Sequence, residues 1–156
     1  MGAIILISNS ANKGKSSTLV ELANLILNKY VDAQIVYTYK YKTTIDFTLV
    51  IRVKGKIVAF ESKETSNNQP ENRLEKVITT YNPDILFCTS KTKGATLNEV
   101  NRITSEFDYN CIKTSTYQVN KDFEKANQTK ATHLFYLAMQ LELFYYTISF
   151  SASLAL

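Results

Sequence analysis

Apolar residues along the chain follow two alternating patterns. Continuous β-branched and aliphatic runs predict six strands, at Ala3–Ile7, Ala33–Tyr39, Thr44–Val53, Lys56–Glu61, Asp84–Thr89 and Tyr109–Thr114. Apolar residues at helical spacing predict helices after Gly14, over Asn72–Tyr81, around Leu97–Ile103, and from Asp122 to at least Tyr145. The alternation predicts an α/β fold: a mainly parallel sheet flanked by helices, with an inserted antiparallel hairpin that turns at Lys54-Gly55 and a long C-terminal helix.

Size and composition fit one domain over residues 1–156. The net charge of +4 suits phosphate ligands; a nucleic-acid partner would also suit it, but the chain has no arginine-rich stripe. Cys88 and Cys111 lie in predicted strands without a Cys-x-x-Cys pair, and His133 lies in the last predicted helix. We therefore expect buried thiols in a reducing cytoplasm rather than a metal or thiol centre. The N-terminus has no signal-peptide pattern.

The C-terminal segment Leu134–Leu156 is nearly continuously apolar and aromatic. Its length would suffice for a bilayer span. Gln140, Glu142 and several hydroxyl residues interrupt it, and a glutamate near the middle of a span costs about 2.5–3.5 kcal/mol on insertion scales. We therefore expect a helix, roughly over residues 121–150, that packs on the sheet or against a second copy in a homodimer, and not membrane insertion.

The connection between the first predicted strand and the first predicted helix reads S-N-S-A-N-K-G-K-S-S-T over Ser8–Thr18. It matches the phosphate-loop template G-x-x-x-x-G-K-[ST] at its last three places, and Asn9 stands where the first glycine would be. In such a loop, backbone N–H groups and a helix start hold an anion, the lysine reaches the β- and γ-phosphates, and the serine hydroxyl ligates Mg²⁺. The predicted nucleotide-binding residues are Asn9, Ser10, Ala11, Asn12, Lys13, Gly14, Lys15, Ser16 and Ser17.

We expect asparagine to be tolerated at position 9 because it adopts left-handed backbone conformations more readily than most residues. The alternative for the whole segment is a solvated Ser/Asn turn that caps an ordinary helix.

Two later segments are candidate partners of this loop. The strand Lys56–Glu61 runs into E-S-K-E, where Glu61 best matches a strand-end magnesium ligand, with Ser62, Glu64 and, at lower rank, Asp46 as alternatives. The strand Asp84–Thr89 runs into S-K-T-K-G-A-T, whose Lys91 and Lys93 would offset phosphate charge at the same sheet edge. A solvated strand end and a solvated lysine turn are the respective alternatives.

Taken together, the loop, I-V-A-F-E-S and D-I-L-F-C-T-S-K-T-K-G-A-T resemble small, poorly characterised bacterial ATP-binding proteins of the P-loop NTPase superfamily, over roughly residues 3–105. The pattern in that group is I-E-S-x-G-D for the second segment and R-T-R-G-x-T for the third. The resemblance implies a P-loop α/β fold and nucleotide binding, and no named reaction. The chain departs from the pattern at Asn9, at Lys63-Glu64-Thr65 and at the two lysines Lys91 and Lys93, which weakens the case for turnover more than for binding. The S-S-T-L helix start is also similar to ParA-like ATPases, but their signature lysine would fall at Ser10.

The sequence thus favours a Mg–ATP-binding protein that is a slow NTPase or phosphotransferase, with a small-molecule or nucleotide kinase less favoured. The catalytic candidates are Lys15, Glu61, Glu64, Lys91 and Lys93, and the candidate magnesium ligands are Ser16 and Glu61. Two alternatives stay open: a nucleotide-gated interaction module without turnover, and a basic nucleic-acid-associated protein.

Overall fold

A six-stranded mixed sheet and four helices make up the computed structural model, which describes residues 2–10, 13–42, 46–62 and 73–141. The elements are, in chain order, β1 (Gly2–Ser8), α1 (Lys15–Lys29), β2 (Gln34–Tyr39), β3 (Thr48–Val53), β4 (Lys56–Glu61), α2 (Arg73–Tyr81), β5 (Ile85–Ser90), α3 (Ala95–Glu106), β6 (Tyr109–Thr114) and α4 (Phe123–Gln140). The strand order across the sheet is β2-β3-β4-β5-β1-β6.

Parallel pairing joins β4 to β5, β5 to β1 and β1 to β6. The predicted hairpin is confirmed as β3 and β4, which pair antiparallel and turn at Lys54 and Gly55, both with positive φ. However, β2 also pairs antiparallel with β3, so the antiparallel part is a three-stranded meander and β2 is a sheet edge. The α/β class is confirmed, and the sheet is mixed.

Both faces of the sheet are covered, as predicted. Helices α1 and α4 pack on one face, which we call the α1/α4 face, over β-strand residues such as Ile5, Ile7 and Phe87. Helices α2 and α3 pack on the other, the α2/α3 face, over residues such as Ile4 and Leu6. Burial on both sides is the reason that β1 and β5 are continuously apolar instead of alternating.

Several predicted bounds differ from those of the structure. The third strand begins at Thr48 and not at Thr44, because the backbone N–H of Phe47 is bonded to the Ser62 hydroxyl at 2.8 Å; residues 43–45 lie outside the described residues. Helix α4 ends at Gln140, and the predicted extension to Tyr145 also lies outside them. Within the described part of the chain, no helix combines the length and apolarity that a bilayer span requires.

The two cysteines occupy different environments. Cys88 on β5 is fully buried, as predicted, whereas Cys111 is only partly buried because β6 is an edge strand. Burial raises the pKa of both thiols, most strongly that of Cys88. Both shifts keep the thiols protonated at neutral pH, which fits inert cysteines.

Candidate functional site

Gly14, in the connection between β1 and α1, has a left-handed backbone conformation. This glycine precedes the first residue of α1 with φ 79°, in the left-handed region. A Cβ atom at this position would lie 2.6 Å from Oδ1 of Asn127 on α4. Two features therefore require glycine at this position: the positive φ and the close approach of α4.

The first turn of α1 presents backbone donors at the carboxyl end of β1. No side-chain hydrogen bond caps the helix, and its first backbone hydrogen bond runs from the Thr18 N–H to the Gly14 carbonyl at 2.9 Å. The N–H groups of residues 15–17 must therefore find acceptors outside the helix. Ser16 and Ser17 are half-buried in this turn.

Lys15 is the charged group at this helix start. It is only 6% exposed, and its Nζ donates a hydrogen bond of 2.8 Å to the main-chain carbonyl of Asn9. The ammonium thus folds back over its own loop. A positive charge at this position would attract an anion bound at the loop. Lys13 in the same loop is exposed, as is Ser10, while Ala11 and Asn12 lie outside the described residues.

Asn9 holds the loop by its side chain. Its Nδ2 donates to the Thr116 hydroxyl at 3.0 Å, and its Oδ1 accepts from the Ser10 backbone N–H at 2.7 Å. The expected reason for tolerating asparagine here was wrong, because Asn9 is not among the described residues with positive φ. Its amide links the loop to the segment after β6 instead, a task that glycine could not perform.

Thr116 and Asn127 are site residues that the sequence analysis missed. Asn127 accepts from the Thr18 hydroxyl at 3.4 Å, from a position 109 residues away along the chain. One signal could have revealed it: Asn127 precedes Ala131 by four residues and Leu134 by seven, so a polar side chain lies on the buried stripe of α4. For Thr116, which lies in an irregular segment, we see no comparable signal.

The predicted lysine loop lies beside the β1–α1 loop. Ser8 and Ser90, the last residues of β1 and β5, are paired in register. Both hydroxyls donate to the main-chain carbonyl of Lys91, at 3.3 and 2.9 Å. The side chains of Lys91 and Lys93 are exposed at this shared edge, as expected for loops at the carboxyl ends of adjacent parallel strands.

Glu61 belongs to a different cavity. It ends β4, which β5 separates from β1, and it is 2% exposed with its carboxylate accepting from the Thr48 hydroxyl at 2.5 Å. It lines a cavity of about 450 Å³ on the α2/α3 face, together with Tyr37, Tyr39 and Lys76. Helix α1, which begins at Lys15, packs on the opposite face of the sheet.

The other candidate magnesium ligands differ in their surroundings. Ser62 is buried and bonded to the Phe47 backbone, Asp46 is exposed, and Glu64 lies outside the described residues. Among the residues that the structure describes, no group of three or more His, Cys, Asp or Glu side chains could hold a metal ion. His133 is exposed on α4 and shares a 2.6 Å hydrogen bond with the Tyr117 hydroxyl.

Fold and site together define an α/β protein with a glycine–lysine loop at a strand-to-helix junction. Comparison of the chain with protein-family models, with curated proteins and with solved structures finds no match.

Proposed function

We propose that the β1–α1 loop binds the phosphates of a nucleoside triphosphate, with Mg–ATP as the leading ligand. The observation that carries this proposal is the position of Lys15. Its ammonium is buried at the first residue of α1 and is held by a carbonyl of the same loop that precedes the helix. A phosphate oxygen would replace that carbonyl as the acceptor with little movement of the side chain.

The surroundings of Lys15 favour an anion for three reasons. The start of α1 carries partial positive charge and supplies backbone N–H donors. The loop lies at the carboxyl end of β1, a strand with a parallel neighbour on each side, and ligands of open α/β sheets bind at such ends. The exposed Lys91 and Lys93 lie on the neighbouring strand end and add positive charge. Magnesium would be bound by the Ser16 hydroxyl and would screen the phosphate charge.

Affinity of the loop for phosphates is tested by calorimetry with Mg–ATP. We expect Lys15→Ala to lose about 10- to 100-fold in affinity, since a charge-assisted hydrogen bond contributes about 1.5–3 kcal/mol. Lys56→Ala is the control: it removes an exposed lysine at the start of β4, at the opposite edge of the sheet from the loop, and should change affinity less than about twofold. Equal affinities of the wild type and Lys15→Ala would refute the proposal.

Two outcomes of binding are distinguished by turnover. A slow NTPase or phosphotransferase would release or transfer phosphate in a Lys15-dependent way, with Lys91 and Lys93 offsetting the developing charge. The alternative, a nucleotide-gated interaction module, is favoured by the position of Glu61. This buried carboxylate lines a cavity on the α2/α3 face of the sheet, so it does not supply the acidic group that turnover would need beside the loop. Phosphate release that disappears in Lys15→Ala supports the enzyme. Absence of release, with an ATP-dependent change of mass by light scattering, supports the module.

A further inference from the structure

A second cavity of about 600 Å³ lies near residues that contact the β1–α1 loop. It lies between the segment that follows β6 and the start of α4, and its lining includes Tyr117, Val119, Asn120, Asp122 and Lys125. None of these residues was singled out by the sequence analysis as a binding residue. The cavity is large enough for a small organic molecule, since ligand pockets generally have volumes of about 300–1,000 Å³.

Two residues that contact the loop or the first turn of α1 are sequence neighbours of residues that line the cavity. Thr116, whose hydroxyl accepts from the Asn9 side chain, immediately precedes Tyr117 in the cavity lining. Ala126, also in the lining, immediately precedes Asn127, which contacts Thr18 and approaches Gly14. The cavity lining therefore begins one residue away, along the chain, from each of these two contacts.

The cavity lining combines a fixed aromatic ring with exposed apolar surface. The Tyr117 hydroxyl is bonded to Nδ1 of His133 at 2.6 Å, and Nζ of Lys130 lies 4.8 Å from the centre of the ring. Although it is held from two sides, Tyr117 is 42% exposed, and the neighbouring Val119 is 40% exposed. A ring that is already ordered loses little conformational entropy when a planar group packs against it.

Polar groups complete the lining. Asp122 has φ 58°, in the left-handed region, and its side chain makes no capping hydrogen bond to α4. Its carboxylate is an acceptor, and the amide of Asn120 is both a donor and an acceptor. Lys125 contributes a positive charge. Together these groups can hydrogen-bond the polar edge of a heterocycle or the hydroxyls of a sugar.

We propose that this cavity holds the nucleoside part of the nucleotide whose phosphates bind at the β1–α1 loop. The inference rests on the proposed function and identifies the ligand as a nucleoside triphosphate, as opposed to an inorganic polyphosphate or a small phosphate ester. The base packs against Tyr117 and Val119, and Asn120 and Asp122 bond its polar atoms or those of the ribose. The wild type therefore binds Mg–ATP more tightly than magnesium tripolyphosphate, which has the same phosphates and no nucleoside.

The test compares those two ligands by calorimetry on the full chain. We expect Tyr117→Ala to weaken Mg–ATP binding about tenfold, since stacking on an aromatic side chain contributes about 1–3 kcal/mol per base, and to leave tripolyphosphate binding unchanged. Tyr117→Phe should retain most of the ATP affinity. Val119→Ala, at an exposed position, gives a second and smaller loss confined to ATP. Tyr136→Ala is the matched control, an exposed tyrosine of α4 outside the cavity lining.

The outcomes separate the two proposals. If Mg–ATP binds in a Lys15-dependent way but Tyr117→Ala and Val119→Ala leave its affinity unchanged, the nucleoside cavity is refuted and the phosphate site stands. If the cavity variants weaken ATP and tripolyphosphate equally, they act through the loop, and the inference is likewise refuted. If the wild type binds neither ligand, the proposed function fails and the inference fails with it.

Discussion

Replacing Gly14 with alanine tests how the loop is held, through two separable costs. The first is backbone strain: φ of 79° is unfavourable for a residue with a Cβ atom, by about 1–2 kcal/mol. The second is steric, because the new Cβ would lie 2.6 Å from Oδ1 of Asn127. The asparagine amide must turn away and give up its 3.4 Å hydrogen bond with the Thr18 hydroxyl, which costs about 1 kcal/mol. We expect Gly14→Ala to lower the free energy of unfolding by about 2–3 kcal/mol.

A double-mutant cycle with Asn127→Ala separates the two costs. Once the amide is absent, Gly14→Ala carries only the backbone strain, so the cycle should show a coupling of about 1 kcal/mol, with the double variant more stable than additivity predicts. Gly55→Ala is the control: its φ of 78° is nearly the same, and nothing lies within 4 Å of its added Cβ. The assay is urea unfolding of the purified variants, followed by far-UV circular dichroism, with equal m-values required.

Two results would refute this reasoning. An additive cycle would show that Asn127 does not restrict position 14. A destabilisation by Gly55→Ala as large as that by Gly14→Ala would show that backbone strain alone accounts for the effect, and that the close approach of α4 contributes nothing.

Asn9→Gly restores the phosphate-loop template yet removes the side-chain bonds to Thr116 and Ser10, so we expect a loss of about 1–2 kcal/mol in urea unfolding and weaker Mg–ATP binding; tighter binding would contradict the bracing role. Tyr109→Phe removes a 2.7 Å hydrogen bond to the Pro83 carbonyl and should destabilise the protein by about 1–2 kcal/mol at neutral pH. Burial, with a smaller contribution from the Asp84 charge, raises the pKa of Tyr109 from 10.0 to about 12. The wild type should therefore lose its advantage over Tyr109→Phe between about pH 10 and about pH 12, because the unfolded phenol ionises first; a constant difference across that range would contradict the assignment.

Much of the sheet could be predicted because local pattern and burial agree there. The strands β4 and β6 have the predicted bounds, and the predicted runs of β1 and β5 lie within a residue of the observed ones. Continuous β-branched runs form such strands because both faces of the sheet are buried. The predicted bounds are less accurate where polar residues interrupt the apolar run, as at the start of β3.

The pattern of apolar residues along the chain does not predict the order of the strands in the sheet. Glu61 is the last residue of its strand, as a magnesium ligand would be. However, β5 separates this strand from β1, and the alternation of side chains along β4 places the Glu61 side chain on the α2/α3 face. No local property of the segment around Glu61 reveals this. The side-chain partners of Asn9 and Thr18 were missed for the same reason, since side-chain contacts between distant segments depend on the assembled fold and not on local propensity.

The hydrogen bonds of the β1–α1 loop also have a consequence for the order of folding. The loop precedes β2 in the chain, yet the hydrogen bonds of Ser8, Asn9 and Thr18 reach residues 83, 107 and 109 positions later. Such non-local contacts form slowly, and a growing chain cannot complete the set until the first turns of α4 have been made. The loop is therefore completed late in folding although its motif is local in sequence, and a fragment ending before α4 would lack Asn127, the partner of Thr18.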